Sequence, residues 1–565
     1  MTERYDHQDA DWPARPWIMA LVGAAGGLVI HLLTDRHSYA TPFPVWKQAA
    51  TSFTVIATIS FLLTVELRRW AWSIAFAAGW GAVIALIGWY TAQYNHLGDI
   101  FEFPFFSGIL AVLIAAPLFQ TVRDEGAWRF PYARLHRHAW TDAVIGAASF
   151  AFTGITFLLA WLIASLFDVI GIDALKDLLQ EEWFAWTLAG FAFGGAIGIL
   201  RERDALVATL QKRAMVILSV LAPVLAVALA AFLLSLPFTG LKGLWESDIP
   251  ATPMLLLSGA GAILLANAVI GDGNEDRSPN IWLRRAAMLL VACVLPLAFF
   301  AALSMGQRIN QYGWTPERIW GVIAVGIALA YGATAWWAVF RGREDFDGPL
   351  RPLQTKLAIA LCGLALFLAL PILDFGAISA NSQLARLHAG KIKTEEFDWT
   401  AMAFDFGRSG REHLAALASS GSLKAREMAK AALATTDRYS LSQSTESIAQ
   451  RTRLEQHLRL LSPDIALTEP LKAEITGYRG CNDQPCALLR LDATRLLLVH
   501  KPYDSSNIQS RVIDLTALGQ PQKQPGAVQR VTTEKVDLAK AQIEVRPVQH
   551  RQLYVDGNPV GTPIE

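Results

Sequence analysis

Two arginines, Arg308 and Arg318 in the stretch QRINQYGWTPERIWGVIAVGIALAYG, carry the most specific chemistry in this sequence. A guanidinium presents paired N–H donors to a phosphate or carboxylate, whereas a lysine presents a point charge. Between them stand Tyr312 and Trp314, aromatic residues suited to a lipid–water interface. Thr315, Pro316 and Glu317 read as a helix start: a hydroxyl cap, a proline at the first helical position and an acid at the positive end of the dipole. Arg308, Arg318, Tyr312 and Trp314 are therefore the candidate anion- or lipid-binding group, with Asp374 expected as an internal partner. A competing reading pairs Glu317 with one of the arginines.

A second set of candidates lies inside apolar runs, where a charge costs at least a few kcal/mol. Asp374, Asp168 and His31 fall toward the same ends of their runs, which is also where a charge costs least. Asn267 is expected to hydrogen-bond to a neighbouring helix, and Glu66 to pair with Arg68 or Arg69. Pro117, Pro223, Pro296 and Pro371 interrupt apolar runs and leave backbone groups to be satisfied by neighbours or water.

Other chemistries are excluded. The sequence has no nucleotide-binding P-loop, zinc-protease motif or nucleophile elbow. The stretch DGNEDRSPNIWL begins like a calcium loop at Asp272, Asn274 and Asp276, but Arg277 and Leu283 stand where glycine and a bidentate glutamate are required. His136 and His138, in RLHRH, fit a basic loop better than a metal site, so no metal and no cofactor is expected. A net charge of zero gives no pull toward nucleic acid. Cys293 and Cys362 sit in apolar runs as small apolar residues. Cys481 and Cys486, in a polar turn, are expected to form a disulfide, since a C-x4-C pair alone is too little for zinc.

The elements that position these residues are membrane helices. The chain has 565 residues, 53% hydrophobic and 17% charged, with a mean hydropathy of +0.32. Eleven apolar runs long enough to cross a core of roughly 30 Å fall near 16–34, 48–67, 70–90, 104–122, 143–168, 183–200, 214–236, 253–271, 286–306, 319–340 and 357–379. The glycine clusters GAAGG and GGAIG lie within such runs and predict close helix contacts. Nineteen lysines and arginines fall on one side of the alternating loops, against six on the other: Arg36, Lys47, Lys176, Lys242, Arg308 and Arg318. Positive flanks resist translocation, so the richer side is expected in the cytoplasm, together with the amino terminus. The acidic flank MTERYDHQDADWPAR favours an uncleaved first helix over a signal peptide. The expected setting is a bacterial inner membrane with the carboxy-terminal part in the periplasm.

The predicted organisation is a cytoplasmic segment (1–15), an all-α transmembrane bundle (16–379), an extracytoplasmic helical segment (380–465) and a small β-rich extracytoplasmic domain (473–565). Helical patterns recur in SQLARLHAGKI, GREHLAALASS and AREMAKAALATT, and strand patterns in ALLRLD, RLLLVHK, SRVIDLT, QIEVRPV and QLYVDG. Asp556–Gly557 fits a hairpin turn.

ERDALVATLQKRA, QYGWTPERIWGV and FDWTAMAFDFGRSGREHLAALA together resemble the bacterial polytopic membrane proteins of domain-of-unknown-function family 4153, over roughly Arg201 to Ser419. The most specific piece is Tyr312, Gly313, Thr315 and Arg318. The resemblance implies the polytopic architecture and no activity, catalytic residue or cofactor. The leading expectation is a transporter or lipid-handling protein, not an enzyme, with a polar pocket at the outer face built from Arg308, Arg318, Asp374, Asp168 and His31 and with membrane lipids as partners. The alternatives are a scaffold or sensor that binds an envelope protein, and a transferase acting on a lipid-linked substrate.

Overall fold

The computed structural model describes residues 12–35, 43–92, 102–240, 250–442, 454, 457–477, 481, 485–500, 507–518, 531–532, 551–555 and 558–564. The chain forms two compact units, Met1–Gln383 with Asp405–Gly410, and Leu384–Phe404 with Arg411–Glu565.

The first unit is helical: α1 (Arg15–Thr34), α2 (Val45–Thr64), α3 (Trp70–Ala92), α4 (Glu102–Glu125), α5 (Tyr132–Val169), α6 (Ala174–Gln180), α7 (Glu182–Glu202), α8 (Asp204–Thr239), α9 (Ala251–Ile270), α10 (Ile281–Tyr312), α11 (Pro316–Gly342) and α12 (Asp347–Ala369), with α13 (Phe375–His388) following. Ten helices among the described residues are long and apolar enough to cross a membrane, so the chain is a multi-pass membrane protein. The eleventh expected span, α2, is a helix of 20 residues packed on α1 and α3, but Lys47, Gln48 and its serines and threonines lower its hydropathy. Several helices outrun the apolar runs that announced them. The 38 residues of α5 reach about 57 Å at 1.5 Å per residue, nearly twice the hydrocarbon thickness.

α1 and α7 cross at glycines. A Cβ added at Gly23 would lie 2.1 Å from the Gly190 carbonyl oxygen, and one at Gly190 would lie 2.0 Å from that of Gly23. Backbones this close exclude any side chain, and a Cβ at Gly194 of the second cluster would likewise lie 2.2 Å from the Met19 carbonyl oxygen, so the glycine clusters make the close helix contacts expected of them. The main apolar core joins α8, α9, α10, α11 and the start of α12 through residues such as Ala226, Leu265, Leu290, Leu297 and Leu350.

Proline does not act alike at its four expected positions. Pro117, Pro223 and Pro296 lie within continuous helices. At Pro371 the predicted span over 357–379 is corrected: α12 begins earlier, at Asp347, and stops at Ala369, and α13 starts at Phe375. Proline clashes with a helical residue before it, and Leu370 is extended at φ −82°, ψ 149°. Three residues later Asp374 accepts a hydrogen bond from the Ala377 amide (2.8 Å) and restarts the helix. A proline followed by a capping acid breaks the chain where a proline alone only interrupts the ladder.

The second unit contains α15 (Leu423–Ala434), α16 (Glu469–Gly477) and most of α14 (Gly407–Ser420). Its sheet runs β1 (Leu458–Leu460), β2 (Cys486–Arg490), β3 (Arg495–His500), β4 (Asn507–Asp514), β5 (Val531–Thr532) in that order, with β1 parallel to β2 and the rest antiparallel. β6 (Arg551–Val555) and β7 (Asn558–Ile564) form a separate antiparallel pair. Leu454, Ile465, Leu471, Ile475, Leu488, Leu496, Leu498 and Ile513 make its core together with Cys481 and Cys486. Those cysteines form the expected disulfide, with Cα atoms 5.5 Å apart. QIEVRPV and the Asp556–Gly557 turn lie outside the described residues.

Candidate functional site

The break between α12 and α13 opens a cavity of about 150 Å³. Its wall is built by Leu368 to Leu370, Pro371, Leu373, Asp374, Phe375 and Gly376 from the break, by Tyr90 of α3, Pro104 of α4 and Trp320 of α11, and by Asp405 to Arg408. Trp320 is the aromatic centre, stacked on Phe103 at 5.7 Å and meeting Phe375 edge-on at 5.4 Å. Its charged groups among the described residues are Asp374, Asp405 and Arg408. Two glycines bring the last pair into place. Gly407 has φ +59°, a left-handed conformation that side chains resist. At Gly376 a Cβ would lie 2.5 Å from the Phe406 carbonyl oxygen, so the 405–408 segment approaches the start of α13 only because that residue is glycine. A single turn of π-helix, Ala401–Asp405, precedes it, a backbone form that concentrates at functional sites.

The arginine loop lies at the same end of the bundle. Arg318 donates from Nη1 to the Gly313 carbonyl (2.7 Å) and sets its guanidinium 5.4 Å from the Tyr312 ring centre. Gln383 donates to the carbonyls of Tyr312 and Trp314 (2.9 and 3.0 Å), and the Trp314 amide donates to the Ser382 hydroxyl (3.2 Å). Arg318 thus closes its own loop. Arg308 is exposed and makes no hydrogen bond or ion pair among the described residues, and Glu317 pairs with neither arginine there. Thr315 starts α11 in extended conformation without a side-chain cap bond, so Pro316 and the first-turn acid Glu317 carry the expected start signal.

The structure divides the expected pocket. Asp374 lines the cavity and caps α13 instead of pairing with an arginine. Asp168 bonds Lys176 at 2.7 Å, a contact that raises the Lys176 pKa. His31 lies 3.9 Å from Glu182. Neither Asp168 nor His31 reaches the cavity. Asn267 accepts a hydrogen bond from Gln354 (2.9 Å), joining α9 to α12. Asp405, Arg408 and Tyr90 escaped the sequence reading, although FDFGRSG shows the signal: an acid and an arginine set between glycines just beyond an apolar domain.

At the opposite end of the bundle arginines are consumed by structure. Arg201 donates to the Leu63 carbonyl (2.8 Å) and Arg123 to that of Thr64, covering carbonyls left open at the end of α2. Glu66 pairs with Arg123, not with Arg68 or Arg69 as expected, because its chain end turns toward α4. Asp347, 1% exposed, binds Arg277 (3.0 Å) and Arg351 (2.9 Å). Arg351 also donates to the Ile270 carbonyl and to Asn274, so the loop that imitates a calcium site holds a guanidinium. Among the described residues no cluster of His, Cys, Asp and Glu has metal-binding geometry.

No curated protein and no solved structure matches the chain. The family described as Domain of unknown function (DUF4153) matches residues 40–405, more than half of the chain and up to the acid that lines the cavity. The multi-pass helical unit therefore has relatives, and the chain belongs to the DUF4153 family.

Proposed function

We propose that this protein handles a membrane lipid or a small charged substrate at a polar pocket on the outer face of a bacterial inner membrane. The observation that carries the reading is the helix break at Leu370–Asp374, which exposes Asp374 and, with Asp405 and Arg408, makes a charged cavity at a bundle end. Charged groups facing a cavity within a membrane domain are costly and mark sites of recognition or passage. Arg308, Arg318, Tyr312 and Trp314 form the interfacial approach, with Arg308 offered to lipid phosphates. The amino terminus is cytoplasmic and the second unit periplasmic, a sidedness supported by the excess of lysine and arginine at the other bundle end. No step of bond chemistry is assigned. A scaffold that binds an envelope partner is the second reading, favoured by the separately folded core of the second unit.

Two measurements test this. Alkaline-phosphatase fusions after residue 380 should be active and fusions near Arg137 or Arg343 inactive; the reverse pattern removes the outer-face assignment. Native mass spectrometry of protein extracted with its lipids should show a bound species that Arg408→Gln loses. Equal lipid retention by both proteins would leave the scaffold.

A further inference from the structure

We propose that the arginine-rich end of the bundle holds a proton-binding site, with Asp142 of α5 as the acceptor, Gln120 of α4 as its hydrogen-bond partner and His138 of α5 as the group through which the proton enters. The site is separate from the pocket at the helix break and stands or falls independently of it.

Two buried oxygens without donors carry the inference. Gln120, 2% exposed, spends both hydrogens of its amide, because Nε2 donates to the Leu63 carbonyl and to Asp142 Oδ1, each at 3.1 Å. Its own Oε1 and Asp142 Oδ2 are buried and accept no hydrogen bond among the described residues. The amide cannot turn over to relieve this, since its oxygen would then face the Leu63 carbonyl. An ionised carboxyl held by one neutral amide at the start of a membrane span is poorly compensated. A proton on Oδ2 removes the charge and supplies the donor that the two oxygens lack.

The charged groups that face Asp142 are Arg201 of α7, Arg123 of α4 and His138 of its own helix. Arg201 donates to the carbonyls of Leu62 and Leu63 (3.3 and 2.8 Å), and Arg123 binds Glu66, Asp124 and the Thr64 carbonyl. Among the described residues neither guanidinium comes within ion-pair distance of Asp142, so no fixed cation neutralises the carboxyl in place.

His138 connects the site to solvent. Its Nε2 lies 3.0 Å from Asp124 Oδ2, and both side chains are partly exposed. It precedes Asp142 by four residues, one turn away on the same face of α5. Imidazole is the usual proton shuttle of proteins. The transfer needs no further reactant: the imidazolium releases its proton to the Asp142 carboxylate, leaving a neutral imidazole and a neutral carboxylic acid, and water beside Asp124 recharges the imidazole. Uptake of a proton here gives the bundle an ion whose movement a transport cycle can use.

The test uses the full chain in nanodiscs and pH-difference infrared spectroscopy, which reads the carbonyl band of a protonated carboxylic acid directly. The wild type should show such a band, growing as the pH is lowered, and Asp142→Asn should lose it. Asp142→Glu keeps a carboxyl and should give the band at a shifted frequency, which decides the assignment should the asparagine variant fail to fold. His138→Gln should keep the band but slow its appearance after a pH jump by about a hundredfold, the low end of what a positioned acid–base group contributes to proton transfer. An unchanged rate would overturn the entry route through His138. A band that neither Asp142 variant alters, or no band at all, would overturn the site, the two oxygens then being satisfied by water with the carboxyl ionised.

Discussion

Replacing Gly376 with alanine tests whether the cavity is built by backbone contact. The added Cβ would lie 2.5 Å from the Phe406 carbonyl oxygen and 2.9 Å from its carbon. Ordinary contact begins near 3.4 Å, so the 405–408 segment must retreat by about 0.9 Å, or α13 must shift by as much. A charge-assisted hydrogen bond spans about 2.7–2.9 Å and a contact stretched to 3.6 Å no longer counts as one, so a ligand of the proposed pocket loses its contacts with Asp405 and Arg408. Each lost bond to a charged group costs about 1.5–3 kcal/mol of binding, or ten- to a hundredfold in affinity. Overpacking itself adds about 1–3 kcal/mol against stability. Gly326→Ala is the control, because nothing lies within 4 Å of a Cβ built at that helical glycine. Both variants would be compared with the wild type for lipid retention by native mass spectrometry and for thermal unfolding in detergent. Gly376→Ala should lose retention while Gly326→Ala behaves as wild type. If the two are indistinguishable, the 405–408 segment does not depend on this contact and the cavity is not set by it.

Asp347→Ala should cost about 1.5–3 kcal/mol of unfolding free energy, because it removes a carboxylate 1% exposed that Arg277 and Arg351 share, leaving Arg277 to Asp345 and Arg351 to the Ile270 and Gly273 carbonyls. Arg277→Ala should cost less, since Arg351 still answers the acid; the opposite order in denaturant titrations would refute the arrangement. Gly190→Leu should abolish the α1–α7 crossing and lower the yield of folded protein, whereas Gly146→Leu, with open space around it, should not. In the second unit, burial and then the charge of Arg511 hold the His500 imidazole below its ordinary pKa, so the fold binds it neutral. The unfolded chain takes up the proton near pH 6.5, so stability is lost as pH falls through that value and below. Hydrogen-exchange protection of β3 and β4 should drop between pH 7.5 and 5.5, and His500→Gln should flatten that drop.

The membrane helices were legible because lipid imposes a length and a composition on any span, and ten of the eleven apolar runs give helices that meet both tests. The disulfide was legible from a cysteine pair in a polar turn. The helix break at Pro371 was only half legible. Four prolines looked equivalent in apolar runs, and what separates Pro371 is Asp374 three residues on, a cap that makes restarting the helix cheaper than continuing it. β1 and α16 were missed because three residues and nine residues carry little periodicity of their own. Both are fixed by the core they share with Leu454 and Ile465. Asp405 and Arg408 are brought to Asp374 by chain segments 30 residues apart in sequence, a juxtaposition set by Gly376 and invisible to local pattern.

Arginine shows most clearly why a residue count predicts placement better than purpose. Nineteen cations on one side argued for sidedness, yet Arg123, Arg201, Arg277 and Arg351 at that end are bound to helix-end carbonyls and buried acids. These guanidiniums are committed, and an incoming anion would have to displace bonds whose loss strands carbonyls at the ends of α2 and α9. At the other end, among the described residues, Arg308 makes no bond and Asp374 is bonded at Oδ1 by the Ala377 amide while Oδ2 accepts none. Binding capacity follows unspent donors and acceptors, not the number of charges. Arg308, at the end with fewer cations, is therefore better placed to meet an anion than the guanidiniums committed at the other end.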